Sequence, residues 1–275
     1  MLVAILLFSS NDVLTKWLAG SFAVGQMVLL RSVGAFVLLS PFLWRAALSG
    51  RFRHIERPWL HALRVACGTG EVACFFLALA HMPLADVVTF WMAAPIFVGV
   101  LSAVALSERV SPARWAAILL GFGGVVIAFW HELGASPLGA AVALSGSLLY
   151  AVFLVATRAL RATPDALLVG FQMAGALVLG LVLAPFAWTP PSIVEWPLLL
   201  LIGVISTIGH VFVVRALRRA PASVVVPFKY LSLVFATFYG WVIFGDVPRE
   251  AMLMGAAVII TAGLWLWWLE RRARE

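Results

Sequence analysis

The sequence predicts an all-α integral membrane protein whose ten transmembrane helices form two five-helix repeats of opposite orientation around a central cavity. The prediction depends on the composition, the spacing of apolar stretches and an internal repeat. Hydrophobic residues make up 64% of the 275 residues and charged residues 11%, against roughly 45–50% and 25% in soluble domains. The mean hydropathy is +1.07. A chain of this composition cannot cover a water-facing surface with polar groups, so its main solvent is lipid.

The same composition excludes a disordered chain, a coiled coil and a secreted disulfide scaffold. Cys67 and Cys74 are seven residues apart on one apolar stretch, about 10.5 Å along a helix, which is too far for a mutual disulfide. We interpret them as packing residues. A net charge of +7 would indicate nucleic acid for a soluble protein, but the placement of these charges indicates lipid headgroups instead.

Ten apolar stretches are each close to the ~20 residues that a helix needs to cross a bilayer. They cover residues 2–19, 23–44, 59–80, 84–106, 112–130, 138–159, 166–187, 197–217, 222–244 and 250–269. The breaks between them carry Gly, Ser and Pro residues, which are typical of turns and helix starts. A β-barrel is excluded because its strands would alternate polar and apolar residues. The first stretch has no basic leader and no cleavage site, so it is predicted to be a span rather than a signal peptide.

The basic residues predict the orientation of these spans. Fourteen of the nineteen Lys and Arg residues lie in alternate connections or at the C-terminus, whereas the opposite side holds only Lys16 and Arg249. Because cytoplasmic loops are enriched in Lys and Arg, both termini are predicted to be cytoplasmic, in a multi-pass protein of the inner (plasma) membrane. The other three cations, Arg31, Arg64 and Lys229, fall inside spans.

The chain resembles itself at an offset of 138 residues. This offset places Pro83 on Pro221 and Glu108 on Asp246, and it holds across three spans. We therefore expect an N-terminal repeat, 1–137, and a C-terminal repeat, 138–275.

Each predicted repeat has five spans, an odd number, so the second repeat must enter the membrane in the opposite orientation to the first. Inverted repeats that rock about a site near the middle of the bilayer are typical of secondary transporters.

Several short motifs resemble those of EamA-type members of the drug/metabolite transporter superfamily. They are NDVLTK at 11–16, QMVLLR at 26–31, LSERVS at 106–111 leading into Trp115 and Gly121, and FGDV at 244–247 followed by Gly255. The resemblance covers the whole chain, and within the superfamily the chain is most similar to the YddG-like amino-acid exporters. It implies a basket-shaped cavity lined by spans 3, 4, 8 and 9 and by parts of spans 1 and 6.

Ionisable side chains deep in lipid cost at least about 2.5–3.5 kcal/mol each, so each needs a partner or a purpose. The candidates are Asp12, Arg31, Glu71, His210 and Lys229. Asp12 and Arg31 lie at matching depths, which predicts an ion pair with either a structural role or a substrate or gating role. His210 either titrates near neutral pH or is a hydrogen-bonded packing residue.

The offset also places Trp91 on Lys229, and equivalent positions of inverted repeats face one another about the repeat axis. We predict a pocket for a zwitterion, with Lys229 meeting the carboxylate and Glu71 the ammonium group. Trp91, Phe75 and Tyr230 would hold the substrate's side chain. The alternative is that Glu71 and Lys229 only neutralise each other.

Four prolines are predicted to shape the moving parts. Pro95 and Pro227 remove backbone donors inside spans 4 and 9, which a membrane helix tolerates where it lines a cavity or where a neighbour satisfies the carbonyl. Pro83 and Pro221 form tight turns between spans 3 and 4 and between spans 8 and 9. These two hairpins are expected to rock as units.

Small residues give spans 5 and 10 flat faces for close helix contact. They are Ala113, Ala117 and Gly121 in span 5 and Ala251 and Gly255 in span 10. The faces serve either packing within one chain or, following the resemblance, self-association, so the expected state is a monomer or a weak homodimer.

The predicted function is secondary transport that exports aromatic and other neutral amino acids. The alternative is export of another small metabolite or a cationic drug, by proton antiport or facilitated diffusion. An enzyme is not expected, because His131-Glu132 begins a zinc motif whose second histidine is replaced by Ala135. A channel is not expected either, since no polar stripe or filter loop is visible. No catalytic residue, metal or cofactor is predicted.

Overall fold

The computed structural model describes residues 1–19, 21–49, 56–79, 81, 87, 90–108, 110–129, 137–245 and 250–272. Its α-helices are α1 (Leu2–Ala19), α2 (Val24–Leu48), α3 (Pro58–Leu79), α4 (Ala94–Ala105), α5 (Pro112–Phe129), α6 (Pro137–Ala159), α7 (Asp165–Leu183), α8 (Glu195–Arg219), α9 (Ala222–Val225), α10 (Leu231–Phe244) and α11 (Glu250–Arg272). The described residues contain no β-strand, so the predicted all-α class is confirmed.

Most helices coincide with the predicted spans to within a few residues, and three of them begin at the proline that marks the break, namely Pro58, Pro112 and Pro137. Proline suits a first helical position because the amide N–H it lacks would have no partner there. Six helices of the described residues are long and apolar enough to cross a membrane, and shorter apolar helices occur at Leu2–Thr15, Ala94–Ala105 and Pro112–Ala128.

The described part of span 4 is interrupted by a turn. Phe90 and Trp91 are helical, Met92 and Ala93 form a turn, and α4 begins only at Ala94. Pro95, in the first turn of α4, explains the break. Its ring nitrogen cannot donate to the carbonyl four residues earlier, so the helix cannot continue regularly through this point.

Span 9 is also interrupted. Its first turn is α9, a 3₁₀ turn follows over Val226–Tyr230, and α10 completes the span. Pro227 lies at the start of the 3₁₀ turn, where tighter hydrogen bonds replace those that proline removes. Three predicted substrate-site residues lie at or beside these breaks, Trp91 in span 4 and Lys229 and Tyr230 in span 9.

The chain divides into two compact units, each built from both halves of the sequence. Unit 1 comprises Met1–Thr69 and Leu160–Arg218, and unit 2 comprises Gly70–Ala159 and Arg219–Glu275. Within the described residues, unit 1 contains α1, α2, the first part of α3, α7 and α8. Unit 2 contains the rest of α3 with α4, α5, α6, α9, α10 and α11.

Close helix contacts in unit 1 depend on glycine. A Cβ atom on Gly34 of α2 would collide with the carbonyl oxygen of Leu200, and one on Gly203 of α8 would collide with that of Arg31. The two glycines therefore let α2 and α8 touch backbone to backbone. A cluster of buried side chains continues the core: Leu18, Phe22, Met27, Leu30, Leu199 and Ile202.

In unit 2, α5 and α11 pack along their length. A Cβ atom on Gly124 would lie 2.9 Å from the carbonyl oxygen of Gly255, so these small residues bring the two backbones together. Ala117 is buried at 3% exposure, and Gly121 leaves room for the ring of Tyr230. The small residues of spans 5 and 10 therefore serve packing within the chain.

Candidate functional site

The backbone of Trp91 is held by a neighbouring helix. Pro95 cannot donate to the Trp91 carbonyl, which would leave this acceptor without its helical partner. Ser147 of α6 replaces that partner, because its hydroxyl donates to the Trp91 carbonyl oxygen at 3.3 Å. The residues around the break thus meet the condition under which a broken helix is stable inside a membrane.

The indole ring of Trp91 fills a notch on α6. Gly146 has no side chain, and a Cβ atom there would collide with this ring. Phe75 of α3 meets the indole edge to face, with ring centroids 5.3 Å apart, a favourable arrangement for aromatic rings. Trp91 is only 6% exposed. Trp91 and Phe75 therefore form an aromatic pair, and Gly146, which was not singled out from the sequence, leaves the space that the indole ring occupies.

Lys229 lies in the 3₁₀ turn of span 9, and its ammonium nitrogen sits 3.7 Å from the centre of the Tyr150 ring. The negative face of an aromatic ring attracts a cation by about 0.5–2 kcal/mol, most strongly away from water. The contact gives the Lys229 ammonium group an attractive partner within the protein. A charged ammonium group is what recognition of a carboxylate needs.

Glu71 lies on α3, one helical turn before Phe75. Glu71, Phe75, Trp91, Tyr150 and Lys229 all belong to unit 2. That Glu71 and Lys229 bind one substrate stays a prediction.

Tyr150 itself was missed by the sequence analysis, although a signal for it exists. The offset of 138 residues places Tyr150 on Asp12, which was already a candidate. The resemblance also places part of span 6 beside the cavity. One tyrosine in an apolar helix carries no motif, so only its contacts distinguish it.

Tyr230 takes a different place from the aromatic pair. Its ring packs against Gly121 of α5 within a buried cluster that also contains Val125 and Ile259. It is 3% exposed, and its hydroxyl has no hydrogen-bond partner among the described residues. Contact between Tyr230 and a substrate stays a prediction. The structure shows Tyr230 as a packing residue of this buried cluster.

His210 belongs to unit 1. Its Nδ1 donates to the carbonyl oxygen of Ser206 at 2.7 Å, and Phe8 meets its ring edge to face at a centroid distance of 5.0 Å. Gly209 provides the space for Phe8, since a Cβ atom there would lie 3.0 Å from that ring. This is the hydrogen-bonded packing arrangement that the sequence left open as one of two interpretations.

Asp12 and Arg31 also belong to unit 1, and each has a polar or electrostatic partner. Arg31 acts electrostatically on His210, as does Arg64 of α3. Arg64 is 1% exposed and donates to the Leu168 carbonyl oxygen of α7 at 2.9 Å. The Asp12–Arg31 ion pair remains a prediction. The sequence showed Arg64 as a cation inside a span but did not assign it a partner.

A model of the EamA-like transporter family matches this chain twice, over residues 1–130 and again over 137–268. The chain belongs to the EamA-like transporter family. The two matches follow the two halves of the sequence, so this transporter has the two-repeat fold of its family. It is a multi-pass membrane transporter of small molecules and not an enzyme.

Three curated relatives match over nearly their whole length. The pseudopaline exporter CntI of Pseudomonas aeruginosa (strain UCBPP-PA14) is 29% identical over 260 residues, which cover 93% of this chain and 90% of that protein. The riboflavin transporter of Rhizobium johnstonii is 28% identical over 270 residues, covering 97% and 89%. The S-adenosylmethionine uptake transporter of Rickettsia bellii is 23% identical over 282 residues, covering 99% and 93%.

A solved crystal structure with 22% sequence identity superposes with a TM-score of 0.82 and covers 100% of this chain and 97% of that one. The two proteins therefore share a fold.

The predicted prolines of this transporter are only partly described. Pro95 and Pro227 lie at the two breaks, and Pro221 is the residue before the first turn of α9. Pro83 lies outside the described residues. Among the described residues, no group of three or more His, Cys, Asp or Glu side chains could hold a metal ion.

Gly146→Val is expected to force the Trp91 ring out of its notch, because the new side chain would occupy the space of the ring. Such overpacking costs about 1–3 kcal/mol, which we expect to appear as a lower melting temperature of the purified transporter. Gly123→Val is the control, since no atom lies within 4 Å of a Cβ at Gly123. The double variant Gly146→Val/Trp91→Leu should recover most of the lost melting temperature. If the effects of the two changes simply add, the Trp91 ring does not occupy the space beside Gly146.

Proposed function

We propose that this EamA-like transporter exports aromatic and other neutral amino acids by secondary transport with alternating access. The observation that carries the proposal is the Lys229 ammonium group over the Tyr150 ring, in the unit that also contains Glu71 and the Trp91–Phe75 pair. These residues supply a cation, an anion and an aromatic surface. They complement the carboxylate, the ammonium group and the apolar side chain of a zwitterionic substrate.

Each group has one role in the proposal. Lys229 binds the carboxylate through a charge-assisted hydrogen bond, and Glu71 binds the ammonium group in the same way. Trp91 and Phe75 contact the apolar side chain of the substrate. Tyr150 holds the Lys229 ammonium group in place when no substrate is bound. A substrate that lacks either charged group loses one of these charge-assisted hydrogen bonds, which are roughly twice as strong as neutral ones.

The transport cycle follows from the helix breaks. We propose that the hairpin of spans 3 and 4 and the hairpin of spans 8 and 9 rock about the substrate, as expected for inverted repeats. The interruptions at Met92–Ala93 and at Val226–Tyr230 are departures from regular α-helix among the described residues of these spans. They are therefore the places at which a span bends at the lowest cost.

The direction of transport and the location are proposed on the same basis. Export follows the resemblance to amino-acid exporters and the name of the pseudopaline exporter. The excess of Lys and Arg in alternate connections supports cytoplasmic termini, and we propose the inner membrane as the location. The small residues of α5 and α11 are used within the chain, which supports a monomer.

A second candidate function is favoured by the names of the other relatives. Riboflavin and S-adenosylmethionine are larger than amino acids, and both contain a fused aromatic ring that the Trp91–Phe75 pair would also accept. In this alternative the transporter carries another small aromatic metabolite or a cationic drug. A cation would depend on Glu71 and not on Lys229.

Counterflow in proteoliposomes tests the proposal. Vesicles preloaded with unlabelled phenylalanine are expected to accumulate labelled tryptophan, and tryptophan methyl ester and N-acetyltryptophan should compete at least about tenfold less well, since each lacks one charge. Runs with and without a pH gradient distinguish proton antiport from facilitated diffusion. Exchange of riboflavin or S-adenosylmethionine without exchange of any amino acid would replace the proposal with the alternative.

A further inference from the structure

Glu108, in the connection between α4 and α5, joins two distant parts of unit 2 through its carboxylate. Its Oε1 accepts a hydrogen bond from Nε of Arg158, near the end of α6, at 3.0 Å. Its Oε2 accepts one from the backbone N–H of Ala222, the first residue of α9, also at 3.0 Å. The Glu108 side chain is 13% exposed and that of Arg158 is 12% exposed.

The start of span 9 needs such an external partner. The first N–H groups of a helix have no acceptor within it, and Pro221, the preceding residue, provides no side-chain cap. Ala222 is fully buried, so its N–H has no access to solvent. Glu108 therefore supplies the acceptor that the local sequence lacks.

The segment that follows, residues 222–230, has little rigidity of its own. It consists of one α-helical turn followed by one 3₁₀ turn, with Pro227 at the start of the 3₁₀ turn. Few regular i to i+4 hydrogen bonds therefore hold the segment straight. Lys229 is carried on this segment. Its position therefore depends on what the segment is attached to.

Two contacts attach the segment to the same helix, α6. At one end Arg158 is joined to Ala222 through Glu108, and at the other end Lys229 lies over Tyr150. Arg158 is eight residues beyond Tyr150, about 12 Å along an α-helix. The stretch from Ala222 to Lys229 spans about 12 Å as one α turn plus one 3₁₀ turn. The matched lengths allow both contacts to form at once without strain.

We infer that Glu108 is a positioning residue for Lys229: it fixes the start of span 9 against α6 so that the Lys229 ammonium group stays over Tyr150. The effect on transport rests on the proposed substrate role of Lys229. The effect on the segment itself rests only on the contacts of Glu108.

Hydrogen–deuterium exchange of the full-length transporter tests the structural part. In Glu108→Ala, backbone amides of residues 222–230 are expected to exchange about tenfold faster, the loss that corresponds to one charge-assisted hydrogen bond. In Glu108→Gln these amides should exchange at a rate closer to that of the wild type, because the glutamine side-chain oxygen still accepts from the Ala222 N–H. Glu108→Gln is the variant to measure if Glu108→Ala does not fold.

The matched control is Asp165→Ala. Asp165 is an acid of unit 1 that binds Arg215 at 3.0 Å and Arg218 at 2.8 Å. Its replacement should leave exchange in residues 222–230 unchanged. Equal exchange in Glu108→Ala and the wild type would overturn the inference.

Transport kinetics test the positioning part. For a zwitterionic substrate, Glu108→Ala should raise KM about tenfold and change the maximal rate less than about twofold, and Glu108→Gln should rescue most of the loss. Faster exchange with an unchanged KM, in a protein where Lys229→Ala does impair transport, overturns the positioning role. If Lys229→Ala also leaves transport intact, the proposed function fails while the exchange result still supports the attachment by Glu108.

Discussion

Lys229→Ala is expected to lower kcat/KM for zwitterionic amino acids between about tenfold and about hundredfold. The variant loses a charge-assisted contact to the substrate carboxylate, for which about 1.5–3 kcal/mol is typical. It also loses the cation that lies over the Tyr150 ring. Proteoliposome counterflow with labelled tryptophan measures the effect, and a cationic substrate without a carboxylate should be transported as well as before.

If Lys229 only neutralises Glu71, the expected transport activity of a double variant is the opposite of that expected if both residues bind substrate. If the two residues only balance each other, Glu71→Gln/Lys229→Ala should recover transport that either single change removes, because no uncompensated charge remains. If both bind substrate, the double variant should be at least as impaired as Lys229→Ala. Arg215→Ala is the control for loss of a basic residue, since its side chain is 56% exposed and lies in unit 1.

Gly203→Leu is expected to have the largest effect on stability. A Cβ at this position would collide with the carbonyl oxygen of Arg31 and lie 2.8 Å from the amide nitrogen of Ala35. Backbone atoms cannot rotate away as a side chain would, so α2 and α8 must separate. The cost should reach or exceed the upper end of the usual ~1–3 kcal/mol for overpacking, and the melting temperature should fall by roughly 10 °C.

Gly34→Leu should behave in the same way, since a Cβ there would meet the backbone of Leu200. Gly123→Leu is the matched control, because it introduces the same side chain into a helix at a site with no neighbour within 4 Å. Thermal unfolding in detergent and the monodisperse fraction on gel filtration measure the difference. A Gly203→Leu protein as stable as Gly123→Leu would show that α2 and α8 do not touch as described.

Part of the candidate site could be predicted because the repeat encodes it. The offset of 138 residues linked Trp91 to Lys229, and both lie at or beside a helix interruption. The cost of burying charge singled out Glu71. The residues that hold these groups were not predictable, since Tyr150, Gly146 and Ser147 are ordinary residues of an apolar helix until their neighbours are known.

The helix breaks within spans 4 and 9 also could not be predicted in detail from the sequence. Hydropathy measures only how apolar a stretch is, so each of the two spans was predicted only as one apolar stretch, at 84–106 and 222–244. The prolines were recognised as breaks, but the form of each break depends on which neighbour accepts or donates the displaced hydrogen bond. Ser147 provides that partner for Trp91.

The amino-acid sequence alone determined that this protein resides in lipid, roughly where most of its spans begin and end, and that its two halves repeat. These properties follow from local composition and from self-similarity, which need no knowledge of partners. The tertiary structure decided which side chains meet: the ammonium group of Lys229 over the ring of Tyr150, and the carboxylate of Glu108 on the N–H of Ala222, 114 residues away. Contacts across such separations arise only when helices pack, because packing alone brings distant backbone and side-chain atoms within hydrogen-bonding range.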